Sequence, residues 1–276
     1  MKKGVNIGIL PEGFSFEDGL KIIKNAGFES VELNLDGRVI SLESGEDDIK
    51  KVKEKVERAG LEISSLLPGL LWKYPLTSSA PEIRKKGEEI IIKSLKICRW
   101  LGTDALLVVP GIVGTDWMET ERVRYDIAYE RSFQSIKKCL PVAEDTGVCI
   151  CIENVWNKFL LSPVEMKNFV ESFNSEFVRV YFDVGNVLIF GYPEDWIRIL
   201  GKLIKRVHLK DFKKSVGNIN GFCDLLEGDV EWPQVVKALK EVGYDGYLTA
   251  EMEPYKFYPE AKIYNTSLSM DKIIGR

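Results

Sequence analysis

Four short apolar segments in the second half of the chain each end on a side chain able to bind a cation or carry a proton. They are Glu153 in Cys149-Ile-Cys-Ile-Glu-Asn, Asp183 in Val180-Tyr-Phe-Asp-Val-Gly-Asn, His208 in Arg206-Val-His-Leu-Lys-Asp, and Glu251 in Leu248-Thr-Ala-Glu-Met-Glu. Three carboxylates and an imidazole brought to one place would repel as bare acids, and a divalent cation is the natural neutraliser. A mixed oxygen and nitrogen set of this kind suits Mn²⁺, Co²⁺, Mg²⁺ or Zn²⁺, with positions left open for substrate oxygens. His208 is the only histidine. Taken singly, it suits a hydrogen-bonded core residue, and each carboxylate suits an ion pair with Lys or Arg. Their joint occurrence at four consecutive strand ends is what points to a metal.

The elements that must position these groups repeat one unit: a short apolar strand, a loop, an amphipathic helix and a glycine-containing turn. Candidate strands are 5–10, 30–35, 61–67, 105–110, 148–153, 178–183, 205–210 and 247–253. Between them lie helical stripes such as Ile49, Val52, Val56 and Ala59, stopped by Gly60. Gly27, Gly102, Gly147 and Gly243 close other helices, and Pro81, Pro163, Pro193 and Pro233 mark first helical turns. Pro141 falls inside a helical stretch over 121–146 and predicts a kink or break there. Eight βα units predict a (β/α)₈ TIM barrel forming a single domain over 1–276. No G-x-G-x-x-G follows the first strand, as a dinucleotide-binding open sheet would often have. In such a barrel chemistry sits at the C-terminal strand ends. If Glu153 points inward there, Cys151 and Cys149 point inward below it as small apolar residues.

Composition narrows the function classes. The chain has 276 residues, with 38 Lys and Arg against 42 Asp and Glu, a formal charge of −4. No basic block marks a nucleic-acid footprint or a membrane-surface patch, and no apolar run of transmembrane length occurs. The N-terminus runs straight into a strand rather than a signal peptide. Five cysteines without paired C-x-x-C spacing fit a reducing cytoplasm.

At these residues the chain resembles the xylose isomerase-like barrel superfamily, in particular its sugar or sugar-phosphate isomerase and epimerase group, which includes ketose 3-epimerases. The likeness spans nearly the whole chain. It rests on Ile152-Glu-Asn-Val-Trp-Asn-Lys-Phe, Phe182-Asp-Val-Gly-Asn, Val207-His-Leu-Lys-Asp, Glu227-Gly-Asp-Val-Glu-Trp and Gly243-Tyr-Asp-Gly-Tyr-Leu-Thr-Ala-Glu. The resemblance implies one divalent ion on Glu153, Asp183, His208 and Glu251, with Glu153 and Glu251 also serving as acid and base. It implies a homodimer or homotetramer as well. Asn186 stands where free-ketose epimerases of the family usually carry histidine. Their substrate-approaching arginine has no match, and Lys213 or Lys214 is its candidate substitute.

The implied chemistry inverts C3 of a ketose or ketose phosphate. Removing a proton beside a ketone requires stabilisation of the enediolate oxygen, which a metal supplies. Of two carboxylates on opposite faces of the sugar, one removes the proton and the other returns one. Candidate sugar contacts are Glu32, Trp156, Asn157, Asn186 and Lys214. Glu32 and Asn34 can alternatively orient the metal ligands. Trp72, Trp117 and Trp156 can wall off the sugar or simply pack loops. Lys158, Lys210, Lys213 and Lys214 can receive a substrate phosphate or stand as solvated charges. An aldose–ketose isomerase and a sugar or inosose dehydratase need the same metal site, and a non-catalytic sugar-binding barrel is a further alternative. A trinuclear zinc DNA-repair site needs more than one histidine.

Overall fold

The computed structural model describes residues 1–11 and 13–276. The strands run in chain order as β1 (Lys2–Asn6), β2 (Ser30–Asn34), β3 (Glu62–Leu67), β4 (Ala105–Val108), β5 (Cys149–Glu153), β6 (Val178–Asp183), β7 (Ile204–Leu209), β8 (Asp211–Phe212), β9 (Phe222–Cys223) and β10 (Tyr247–Ala250). Eight of them close into a parallel barrel in the order β1-β10-β7-β6-β5-β4-β3-β2, while β8 and β9 form a small antiparallel hairpin outside it. Among the described residues eight α-helices alternate with the barrel strands: α1 (Phe16–Asn25), α2 (Glu46–Arg58), α3 (Pro81–Leu101), α4 (Tyr125–Thr146), α5 (Pro163–Glu171), α6 (Pro193–Leu200), α7 (Trp232–Glu241) and α8 (Pro259–Ile274). This is the (β/α)₈ barrel that the alternating pattern predicts.

Local chemistry sets the boundaries. Ser15 and Ser162 accept the backbone N–H of Asp18 and Glu165, capping α1 and α5 and satisfying donors that the first helical turn leaves orphaned. Pro81, Pro163, Pro193 and Pro259 open their helices and Pro233 sits one residue further in. Gly102 and Gly147 end α3 and α4 with φ of 80° and 70°, where an L side chain would be strained. In α2, Ile49, Val52 and Val56 are the buried stripe.

Most strand boundaries differ from the sequence expectation by a residue or more, and three differences, two of strands and one of a helix, stand out. The first strand stops at Asn6 because the Asn6 side chain accepts the Gly8 N–H and turns 7–9 into a 3₁₀ turn. The last barrel strand ends at Ala250, so Glu251 stands just beyond it. Helix α4 begins at Tyr125 rather than 121 and continues through Pro141. The exposed Lys137, whose carbonyl loses its partner at Pro141, lies on the solvent side, where water can replace the bond. Cys149 and Cys151 are buried in β5, and burial pushes the thiols up. Among the described residues no helix is long and apolar enough to cross a membrane.

Candidate metal centre and active site

Barrel register brings four distant residues together. Glu153 ends β5, Asp183 ends β6, His208 lies in β7 opposite Asp183, and Glu251 follows β10. Each offers one ligand atom, and these atoms all lie within 4.8 Å of one another. His208 Nδ1 is 2.9 Å from Glu251 Oε2, 3.6 Å from Glu153 Oε1 and 3.9 Å from Asp183 Oδ2. The last two separations are too long for hydrogen bonds, and the first is misaligned for one. Asp183 Oδ2, His208 Nδ1 and Glu251 Oε2 are therefore buried without a hydrogen-bond partner. A single ammonium, that of Lys210, lies near the two carboxylate oxygens, whereas polar atoms buried without hydrogen bonds are costly and a divalent ion would satisfy all of them at once. The donor set of three carboxylate oxygens and one imidazole nitrogen fits such an ion.

The imidazole is aimed from behind. Its Nε2 lies 2.8 Å from Glu32 Oε1. Glu32 Oε1 also accepts from Asn6 Nδ2 at 2.7 Å, and Oε2 accepts from Ser65 Oγ and Tyr181 Oη, both at 2.7 Å. The hydrogen bond places a proton on Nε2 and turns Nδ1 toward the cluster, where its lone pair would serve a metal once the Nδ1 proton is displaced. Of the two readings of Glu32, these bonds favour the orienting one. Both its oxygens are engaged, the side chain is fully buried and it does not line the cavity that opens above the cluster.

Electrostatics follow from this crowding. Burial raises Glu153 to about 7 and raises Asp183, against the lowering effect of Lys210 and His208. Burial would raise Glu251 too, but the charges of Lys210 and His208 outweigh it and hold Glu251 low. Burial would lower His208, yet Glu32 and Glu251 hold it well above the ordinary imidazole value. A metal at the ligand atoms competes with the proton on Nδ1. Lys210, two residues beyond His208, enters the same cluster, with Nζ 2.8 Å from Glu251 Oε2 and 3.2 Å from Asp183 Oδ2. Strand alternation is the signal for it, since positions 206, 208 and 210 share one face.

A cavity of about 470 Å³ opens above the cluster, bounded by Glu153, Glu251 and Lys210. Its walls differ. The loops after β3 and β4 contribute Pro68, Trp72 and Trp117, whereas the segments after β7 and β10 contribute Asp224, Glu253 and Lys262. Trp72 and Trp117 meet edge to face at 5.0 Å, and Trp117 Nε1 donates to the Trp156 carbonyl. Trp156 lines the cavity and donates from Nε1 to the Asn186 carbonyl at 2.9 Å.

Other sequence candidates take different places. Asn186 lines the cavity, donates its backbone N–H to Asp183 Oδ1 and donates from Nδ2 to the Asn154 carbonyl. Asn157 is buried behind the wall. Its Nδ2 donates to the Gly111 carbonyl and its Oδ1 accepts the Phe159 N–H, so both amide atoms hold loops. Lys214 is exposed outside the cavity wall. Lys158 pairs with Asp116 at 2.6 Å and Lys213 lies 3.8 Å from Glu227.

Two further residues frame the site. Asn154 clips the ends of β5 and β6 together, donating to the Asp183 carbonyl and accepting the Asp183 N–H. Asp211 accepts the N–H groups of Phe212, Leu226 and Val230 and the Trp232 indole, gathering the loop after β7 around one buried carboxylate. A Cβ at Gly228 would lie 2.1 Å from Asp211 Oδ1, which explains the glycine in Glu227-Gly-Asp. Both residues stand in sequence motifs that carry the resemblance, but their partners are set only by folding.

The family model described as xylose isomerase-like TIM barrel matches residues 20–272. The chain belongs to this family. Among its relatives, the L-ribulose-5-phosphate 3-epimerase UlaE of Salmonella typhimurium is 23% identical over 268 residues, covering 91% of this chain and 88% of the relative. Solved barrels superpose along the whole chain. A D-psicose 3-epimerase crystallised with D-fructose gives a TM-score of 0.82 at 17% identity, covering all of both chains. The IOLI protein with a bound zinc atom gives 0.79 at 18% identity, covering 100% of this chain and 98% of that one. At such identities the structural likeness establishes the xylose isomerase-like fold.

Proposed function

We propose that this barrel is a divalent-metal-dependent epimerase that inverts C3 of a ketose or ketose phosphate. The observation that carries the reading is the placement of two glutamates on either side of one ligand cluster. Glu153 comes from β5 and Glu251 from the residue after β10, with β6 and β7 between them in the barrel order. Similarity to ketose and ketose-phosphate 3-epimerases supports it.

Glu153, Asp183, His208 and Glu251 would hold the ion, and Mn²⁺, Co²⁺, Mg²⁺ and Zn²⁺ all suit this donor set. Bound there, a divalent ion supplies electrostatic stabilisation of the oxyanion that forms when a proton leaves carbon beside a ketone. Glu153 and Glu251 do the proton work: one takes the C3 proton and the other delivers a proton to the opposite face, with the roles exchanged in the reverse direction. Lys210 steadies the Glu251 and Asp183 carboxylates by its ammonium contacts. Glu32 fixes the His208 ring. Trp72, Trp117 and Trp156 exclude water from the reacting carbon.

Incubation with a panel of ketoses and their phosphates in D₂O, with each metal in turn, tests this. Deuterium appearing at C3 is the expected result. Deuterium at C1 or C2 would make the protein an aldose–ketose isomerase, and loss of water a dehydratase. Sugar binding without carbon-bound exchange under any metal would make it a binding barrel.

A further inference from the structure

The epimerase reading leaves open whether the ketose carries a phosphate, and the charged wall of the cavity bears on this. Five acidic side chains, Glu153, Asp211, Asp224, Glu251 and Glu253, line the cavity against two lysines, Lys210 and Lys262. With the ligand Asp183 counted, six carboxylates face two lysines, and a divalent ion at the metal ligands would offset two of the four formal negative charges in excess. A phosphate dianion entering this space needs an available cation or a set of free donors. Neither lysine is available. Lys210 is held between Glu251 and Asp183, and Lys262, a buried residue of α8, is ion-paired with Asp224 Oδ1.

Asp224 is itself held from two sides. Its Oδ1 accepts from Lys262 and its Oδ2 accepts from the Tyr255 hydroxyl. Lys262 also lies over the Tyr255 ring at 4.8 Å from the centroid. The carboxylate thus spends the one ammonium on this flank that a phosphate could use, and the pair offers no net positive charge to an incoming dianion. A neutral polyol tail meets no such penalty, because hydroxyl groups both donate to carboxylates and accept from ammonium and phenol groups. The facing wall suits the same ligand, since Trp72 and Trp117 present aromatic surface to the C–H face of a sugar.

We propose that Asp224, braced by Lys262 and Tyr255, is a specificity-determining residue that selects an unphosphorylated ketose with a free hydroxyl tail. This deepens the epimerase reading and rests on it for the reaction, but not for the exclusion of phosphate, which binding alone can read. The chemistry is a charge filter: the wrong substrate is rejected by like charge rather than by shape.

Two measurements on the metal-loaded protein test it. In the C3 exchange assay, kcat/KM for a free ketose should exceed that for its terminal phosphate by about a hundredfold. Asp224→Asn, which removes the carboxylate charge and frees Lys262, should shrink that ratio at least tenfold, by a gain on the phosphate. Separately, inorganic phosphate at matched ionic strength should leave the melting temperature of the native protein where chloride leaves it, and should raise that of Asp224→Asn. Equal or better turnover of the phosphate by the native protein would overturn the proposal, as would stabilisation of the native protein by inorganic phosphate. Both native-protein outcomes stand if the variant fails to fold. If neither ketose exchanges a proton, the epimerase reading falls while the phosphate-binding arm still decides the filter.

Discussion

Strand β7 carries a buried ionisable side chain at each end of the barrel, and the two ends treat their charge oppositely. At the floor, Arg206 donates to the Ser64 carbonyl at 2.8 Å and the Lys205 carbonyl at 2.9 Å, pairs with Asp104, and lies over the Tyr247 ring. Two residues further on, at the mouth, His208 is tied down through Nε2 alone and leaves Nδ1 bare among three carboxylates. The same strand, face and depth of burial thus produce a satisfied network and an unsatisfied one. Saturation of donors and acceptors marks a structural group, while convergent orphaned atoms mark a place where the fold tolerates cost for a ligand.

The sharpest way to break this contrast is at the mouth. Glu153→Gln and Glu251→Gln should each lower C3 exchange by about 10²–10⁴-fold, while the melting temperature without added metal changes little. Substantial turnover by either variant would remove the two-base assignment. At the floor the expected pattern is reversed. Arg206→Met removes the donor to the Lys205 carbonyl and one of two donors to the Ser64 carbonyl, which keeps its bond from Thr103 Oγ1, and should cost about 2–3 kcal/mol in denaturant unfolding. The lower part of that range is more apt because Asp104 is half exposed and stays solvated. Exchange per folded molecule should persist, and its loss would show that floor and mouth are coupled. The smallest effect falls on the residue between the two regimes. Glu32→Gln should weaken Mn²⁺ binding about tenfold in calorimetric titration, through a less firmly held His208 ring. Unchanged affinity would reduce Glu32 to a packing role.

Much of this contrast was legible in the residues themselves, and some of it was not. Apolar periodicity, helix-opening prolines and helix-closing glycines marked eight βα units because those signals are local. The four chemically able side chains stood out because each ended an apolar strand. Boundaries depended on side-chain details that periodicity does not contain, such as the Asn6 cap that ends β1 early. Pro141 predicted a kink or a break, and of the two a break is absent: α4 runs through it where the lost bond faces water. Asn157 and Lys214 read as sugar contacts because they sit near motifs. The fold turns one amide toward two backbone groups behind the wall and leaves the other side chain outside the cavity.

What the sequence alone determined, then, was the order of elements and the inventory of ligand types at the strand ends, since both depend on neighbours within a few residues. Only the closed barrel decided which atoms meet. Glu32 reaches His208 across 176 residues, and Lys262 reaches Asp224 across 38. Such pairings depend on strand register and barrel closure. Those are global constraints, and a pattern read along the chain cannot specify them.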